Sequence, residues 1–439
     1  GSNRNPEAFG AAGGSRAGAP GSADPACAGC VTDLRLMLRR SRMEFLQHFL
    51  LGKPLERNGQ DSLSLSALVA RPAGRSESLL WRAGLDLEAA DSWLVEFQAG
   101  PTLEGSALAR AIRPAGRHYD YQVDARTAAG FVALDWQVTP RLEAAASLRA
   151  DYSRFDYDNR MRDGNVADDG TPCAFGGCLY SRPADRRDQF TNLTPRVSLS
   201  WTATTDDRLY VVVTRGFRPP EATELYRLQR QQQVADLDSE RARSLEVGWR
   251  HETARQRWSL AAFAMDKANV ILRDADAFNV GNGRTTHRGL EYEYRLRLGE
   301  SWQLSAAGTL ARHRYDFSRS VEGGETIVRG RDVDTAPREL HRLAVTWRPT
   351  EYWDGELEIQ QVGEYFADAS NLARYPGHVL AHLRVAWTPR PALRATLRVA
   401  TLLDRAYADR ADFAQGDWRY FPGRGRSAFL ELEYLHHRD

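Results

Sequence analysis

Apolar and polar residues alternate with a period of two along most of this chain. The alternation is strict in Leu290-Glu291-Tyr292-Glu293-Tyr294-Arg295-Leu296-Arg297-Leu298. It recurs in Leu245-Glu246-Val247-Gly248-Trp249-Arg250, in His382-Leu383-Arg384-Val385-Ala386-Trp387 and in Leu393-Arg394-Ala395-Thr396-Leu397-Arg398-Val399. Successive side chains of a strand point to opposite faces, so each segment carries one apolar and one polar face. The pattern predicts strands near 31–48, 61–72, 76–90, 120–136, 141–158, 192–203, 207–216 and 241–252. It continues near 255–274, 284–298, 301–317, 337–349, 353–368, 377–389, 392–404 and 425–436. That makes about sixteen strands with negligible helix.

The connections alternate in length. Long ones fall near 49–60, 91–119, 159–191, 217–240, 275–283, 318–336, 369–376 and 405–424. Short ones fall near 73–75, 137–140, 204–206, 253–254, 299–300, 350–352 and 390–391. Long loops at one rim and tight turns at the other mark an all-β, transmembrane antiparallel β-barrel. A soluble β-sandwich does not sort its loops so strictly, nor use such long strands. Trp136, Trp201, Trp249, Trp347 and Trp387 precede short turns, and Trp258 and Trp302 follow them. Aromatic rings favour the zone where lipid meets water, so these seven predict one belt. Phe155, Tyr157, Tyr315, Phe317, Tyr365 and Phe366 predict a second belt at the other rim.

Composition changes this picture little. The 439 residues include 59 Lys+Arg and 58 Asp+Glu, a net charge of +1 that weighs against a nucleic-acid partner. Mean hydropathy is -0.53, and no apolar run is long enough for a spanning helix. A barrel escapes that test because only every second residue faces lipid. Residues 1–30 are rich in Gly, Ala, Ser and Pro and read as a flexible segment; 31–436 read as the barrel portion and 437–439 as a polar tail. The chain opens on Gly-Ser with no signal peptide, which predicts that a longer exported protein has been shortened. The polar strand face collects Glu246, Arg250, Glu291, Glu293, Arg295, Arg297, Arg384, Arg394, Arg398, Glu431 and Glu433. Such groups are costly in lipid and cheap against water or against each other across strands.

Cysteines come in two local pairs. Cys27 and Cys30 give no preference between states. Cys173 and Cys178 lie in a Gly-, Asp- and Pro-rich loop, where a disulfide fits an exported protein ahead of free thiols or half a zinc site. The ten histidines are scattered without a metal-binding spacing, and no nucleophile, base and orienting group converge. No catalytic residue, resident metal or cofactor is therefore expected.

Three stretches carry a resemblance. The first is Tyr210-Val211-Val212-Val213-Thr214-Arg215-Gly216-Phe217-Arg218-Pro219-Pro220-Glu221, followed by Glu224-Leu225-Tyr226. The second is Leu402-Leu403-Asp404-Arg405-Ala406-Tyr407, then Tyr420-Phe421-Pro422-Gly423-Arg424. The third is Arg42-Met43-Glu44-Phe45 with Gln47-His48-Phe49. In this order and spacing the chain resembles the TonB-dependent outer-membrane receptors over roughly 31–436. Thr401 stands where that family has Asn, and the chain ends Tyr434-Leu435-His436-His437-Arg438-Asp439 where the family ends on an aromatic residue.

The resemblance implies energy-coupled uptake of a scarce solute, such as a ferric siderophore or similar iron chelate, across the outer membrane. It implies a barrel of about twenty-two strands filled by a plug domain, neither fully visible here. The partners implied are a periplasmic TonB-type energy-coupling protein, an extracellular metal-chelate ligand, outer-membrane lipid and lipopolysaccharide, and the barrel-assembly machinery. A passive porin, or a structural or adhesive surface barrel, is the alternative. The 217–240 loop and the strand entering it concentrate Arg215, Arg218, Glu221, Glu224, Tyr226, Arg227 and Arg230. The 159–191 loop adds Arg160, Arg162, Arg182, Arg186 and Arg187. Arginine forks and aromatic faces suit anionic, oxygen-rich ligands. A solvated loop or lipopolysaccharide contacts account for the same residues equally well.

Overall fold

The computed structural model describes residues 31–72, 78–414 and 416–435. The expected flexible segment at 1–30, with Cys27 and Cys30, the turn at 73–75 and the tail at 437–439 lie outside the described residues. Sixteen strands form one antiparallel sheet whose order follows the chain. They are β1 (Val31–Leu46), β2 (Leu55–Pro72), β3 (Leu79–Gln98), β4 (Gly116–Thr139), β5 (Leu142–Asn159), β6 (Arg186–Thr202), β7 (Asp207–Arg218) and β8 (Glu240–Glu252). The remainder are β9 (Gln256–Arg273), β10 (Asn279–Leu298), β11 (Trp302–Tyr315), β12 (Glu339–Thr350), β13 (Trp353–Val362), β14 (His378–Arg390), β15 (Leu393–Ala400) and β16 (Ser427–Tyr434). Among the described residues α-helix is confined to α1 (Ala107–Ala111) and α2 (Ala222–Tyr226).

The chain divides into two compact units. One comprises 1–197, 214–242 and 268–283; the other comprises 198–213, 243–267 and 284–439. In the second unit the register carries one apolar face unbroken across seven strands. Leu298, Trp302 and Trp347 are aligned, as are Leu296, Leu304, Val345, Leu357, Leu383, Val399 and Ala428. Leu290 and Tyr292 lie on this face, and Glu291 and Glu293 on the other, as the period-two reading requires. The indoles of Trp302 and Trp347 meet at 5.8 Å, those of Trp353 and Trp387 at 5.9 Å, and those of Trp249 and Trp258 at 4.3 Å. The tryptophans thus gather near the short turns with apolar neighbours beside them.

On the opposite face charges pair across strands. Arg342 donates to Glu358 at 2.7 Å, Arg384 reaches Asp354, and Arg398 lies 3.3 Å from Glu431. In the first unit one apolar face runs through β1–β5: Leu36, Leu65, Leu87, Ala128 and Tyr152 are aligned.

Several strands outrun the sequence reading. β2 starts at Leu55 rather than near 61, β3 runs to Gln98 rather than 90, β4 starts at Gly116, and β6 starts at Arg186. The added residues are charged on both faces, so apolar alternation fades while backbone pairing continues. Ion pairs such as Arg57–Glu44 (2.8 Å) join these residues to the neighbouring strand. The second aromatic belt is corrected. Tyr157 and Tyr315 are buried because their parity puts them on the polar strand face, and Tyr365 is buried in the connection beyond β13, where it pairs with Tyr375. The last long connection also holds a hairpin, Ala408–Ala414 paired with Asp417–Pro422, where only a loop was expected.

Candidate functional site

The long connection after β7 is built from its first residues. Pro219 and Pro220 end the strand, since neither offers an N–H to a ladder. Glu221 then caps α2 reciprocally with Glu224, whose carboxylate accepts the Glu221 N–H at 2.7 Å. One turn of helix drives Leu225, Tyr226 and Leu228 inward until all three are fully buried. Leu228–Gln229 pairs with Tyr180–Ser181 of the neighbouring long connection, and the Tyr119 hydroxyl donates to the Leu228 carbonyl.

This burial is offset by charge pairing. Arg218 donates two parallel hydrogen bonds to Glu224, at 2.9 and 3.0 Å, and meets Glu240 at 3.0 Å. Arg227 joins Glu56 at 2.9 Å and also Glu96, with its guanidinium 5.5 Å from the Tyr119 ring centre. The His118 ring nitrogens face Glu96 at 3.0 Å and the Pro114 carbonyl at 2.9 Å, and its ring stacks on Tyr180 at 3.6 Å. Tyr226 stacks on Tyr157 at 4.2 Å and donates to Asp188 at 2.8 Å. Burial pushes the Tyr226 hydroxyl above its ordinary value, and Asp188 adds to that.

Arg182 is 1 % exposed and donates to the carbonyls of Arg162 (2.8 Å), His118 (3.0 Å) and Val166 (2.7 Å). Burial lowers its guanidinium from the ordinary value. It is an internal strut between loops. In the same connection Cys173 and Cys178 are bonded as a disulfide.

The seven loop residues singled out by sequence therefore separate. Arg218, Glu224, Tyr226 and Arg227 form one internally satisfied frame, while Glu221 and Arg230 are exposed. Arg230 sits at φ 60, and its N–H donates to the Leu179 carbonyl, so its side chain projects from a fixed backbone point. Arg215 shares strand parity with Val213 on the apolar face. Sequence reasoning missed the partners Glu56, Glu96, His118 and Asp188, which lie near the ends of other strands. No local signal could have found them.

In the second unit a cavity of about 750 Å³ opens on the polar strand face, lined by Tyr210, Glu246, Arg250, Glu291, Glu293 and Arg342 among others. The Tyr210 hydroxyl donates to Glu246 at 2.8 Å, and Arg250 lies 4.7 Å from the Tyr210 ring centre. The ring passes so close to Gly248 that a Cβ there would fall 2.2 Å from it. Among the described residues no cluster of three metal-ligating side chains occurs.

Comparison with known proteins places this architecture. The family model for TonB dependent receptor-like β-barrels matches residues 56–402. The metal-pseudopaline receptor CntO of Pseudomonas aeruginosa is 23% identical over 227 residues, covering 50% of this chain and 30% of the receptor. The ferric yersiniabactin uptake receptor FyuA from Yersinia pestis superposes with a TM-score of 0.70 at 16% identity, over 92% of this chain and 58% of that one. The copper transporter OprC superposes with a TM-score of 0.70 at 13% identity, over 92% of this chain and 62% of that one. The chain thus spans under a third of the curated receptor it matches and about three-fifths of these solved structures.

Proposed function

This chain belongs to the TonB dependent receptor-like β-barrel family, a multi-pass barrel of the outer membrane, and on that premise we propose that it serves energy-coupled uptake of a metal chelate. The observation that carries this reading is the family match across 56–402. The similar proteins named for pseudopaline, yersiniabactin and copper all handle a metal or a metal chelate. The preferred cargo is a ferric siderophore or a similar oxygen-rich anionic chelate. Arg230 meets it at the outer loops, held in place by the frame around Arg218, Glu221 and Arg227. The partners are a periplasmic TonB-type coupling protein, the barrel-assembly machinery during insertion, and lipopolysaccharide around the strands. The chain has no catalytic part in this reading; the metal travels as cargo.

The test is uptake by cells lacking the native gene and complemented with the full-length protein. Radiolabelled ferric chelates of several classes are supplied with and without a protonophore. Saturable accumulation that the protonophore abolishes is expected for at least one chelate. Linear, protonophore-insensitive entry of unrelated small solutes would instead establish a passive pore.

A further inference from the structure

His287 on β10 and His313 on β11 are direct cross-strand partners. They share strand parity with Glu291 and Glu293, which puts both imidazoles on the polar face, toward the long-connection end of the strands. Their Nδ1 atoms stand 2.8 Å apart, and the ring centres are 5.0 Å apart. The second nitrogen of His287, Nε2, lies 2.8 Å from the Thr285 hydroxyl. Read with Nε2–H donating to Thr285, His287 presents a bare Nδ1 to its neighbour. A polar group that fixes the tautomer through the far nitrogen is the usual support of a ligating histidine.

We infer that His287 and His313 form a two-imidazole site for a divalent transition-metal ion of the Cu²⁺ or Ni²⁺ type. Imidazole nitrogens bind such ions at about 2.0–2.1 Å. Two nitrogens 2.8 Å apart, each at that distance from one ion, subtend nearly a right angle. That is the cis angle of a square-planar or octahedral ion; a tetrahedral ion needs its ligands wider apart. The spacing thus favours the tetragonal ions, and Cu²⁺ stands highest in the general order of divalent affinities. Both rings are half-buried, so each keeps one side open for water or for donors of an arriving chelate. Asp266 and Lys267 act on His287 from β9, and Asp332 acts on His313 from the 316–338 connection. Two carboxylates and one ammonium thus face the pair.

Binding of the free ion at this pair does not depend on which chelate the protein carries, so the free ion is the probe. The purified protein in detergent is titrated with CuCl₂ and followed by electron paramagnetic resonance and calorimetry. His436→Ala and His437→Ala are made first, since that vicinal pair near the chain end would bind copper too. One ion per chain is expected, with hyperfine structure from coordinated imidazole nitrogen. His287→Ala and His313→Ala should each abolish the tight phase, and His382→Ala should leave it intact. His287→Asn, which keeps a side-chain hydrogen-bonding group, should lose copper too while preserving the heat-modifiable mobility of the folded barrel. Absence of stoichiometric binding in the parent, or binding that survives H287A/H313A, overturns the site and leaves a pair of rings that only stitches two strands. Failure of chelate uptake with intact copper binding would overturn the proposed function and not this site.

Discussion

Replacing Arg227 by methionine keeps most of the stem's apolar contact and removes the charge. Glu56 and Glu96 are then left facing each other's environment without their shared cation, with side-chain exposures of 9% and 1%. Breaking a buried pair by removing one partner typically costs about 3–5 kcal/mol. His118 stays beside Glu96 and offsets part of that, so the lower end, about 3 kcal/mol, is the expected cost. The strands are paired independently along β2 and β3, so the loss falls on the connection that Arg227 anchors and not on the sheet.

At about 1.4 kcal/mol per factor of ten, 3 kcal/mol is about a hundredfold rise in the opening equilibrium of the 219–239 connection. Amide hydrogen exchange reads it directly. The Leu225 N–H bonds the Glu221 carbonyl, the Arg227 N–H bonds Thr223, and the Arg230 N–H bonds Leu179. All three should exchange faster by about that factor while amides at the centre of β3 are unchanged. The companion variant Arg227→Met with Glu56→Gln and Glu96→Gln should recover most of the protection, because no orphaned charge remains. Acid should act the same way on the single variant, by neutralising the stranded carboxylates. Wild-type exchange in Arg227→Met, or no rescue by the double glutamine change, would refute the account of this frame as a charge-held anchor.

Leu383 pairs with Leu357 on the apolar face, so Leu383→Arg should destabilise the folded barrel by about 2–4 kcal/mol in lipid if it lies near the midplane, read by urea unfolding in vesicles; Arg384→Leu, on the other face, should not reproduce that loss. Burial raises the Glu325 carboxyl above its ordinary value, against the Ala369 N–H that bonds it at 2.7 Å, with Asp368 and Asp334 adding to the rise. A raised folded-state value means that acid stabilises this connection: the gain is complete below the ordinary carboxylate value and disappears as pH climbs through the raised one. Exchange at the Ala369 amide, corrected for intrinsic pH dependence, should therefore slow on acidification, and Glu325→Gln should flatten that response. Reducing Cys173–Cys178, or Cys173→Ser with Cys178→Ser, should loosen its loop by about 2 kcal/mol, as expected for so short a closed loop; peptide mapping of unreduced protein from the cell surface must first find the two joined. Arg230→Ala should weaken chelate uptake with exchange in 219–239 unchanged, whereas equal loss of both would make Arg230 another structural residue.

What the sequence makes legible here is what a strand imposes locally. Leu290 and Glu291 must face opposite ways whatever lies around them, so the faces, the strand order and the tryptophan level could be read from spacing alone. Strand ends could not. Glu56, Arg57 and Asn58 carry no apolar alternation, yet they extend β2 because β3 continues to pair with them. Tyr157 shows how a correct period still misleads when level is read without parity: its height suits an interfacial belt, but its face turns it onto Tyr226. The loop frame was out of reach for a different reason. Arg227 and Glu56 are 171 positions apart, and only the assembled sheet brings the loop residue to the strand end.

That separation bears on how such a surface can recognise anything. Counting charged loop residues suggests a broad anionic-ligand site, yet most of those charges are consumed in holding the loops. Arg218 is occupied by two carboxylates, Arg227 by two more, Arg182 by three carbonyls, and Arg186 and Arg187 by Asp188 and Asp156. A group already paired in this way offers a ligand little, because binding would first have to break the pair. What it supplies is a rigid backbone, and rigidity lowers the ordering cost that a mobile loop would incur on binding. On the proposed reading, selectivity falls to side chains outside that frame, such as the exposed Arg230.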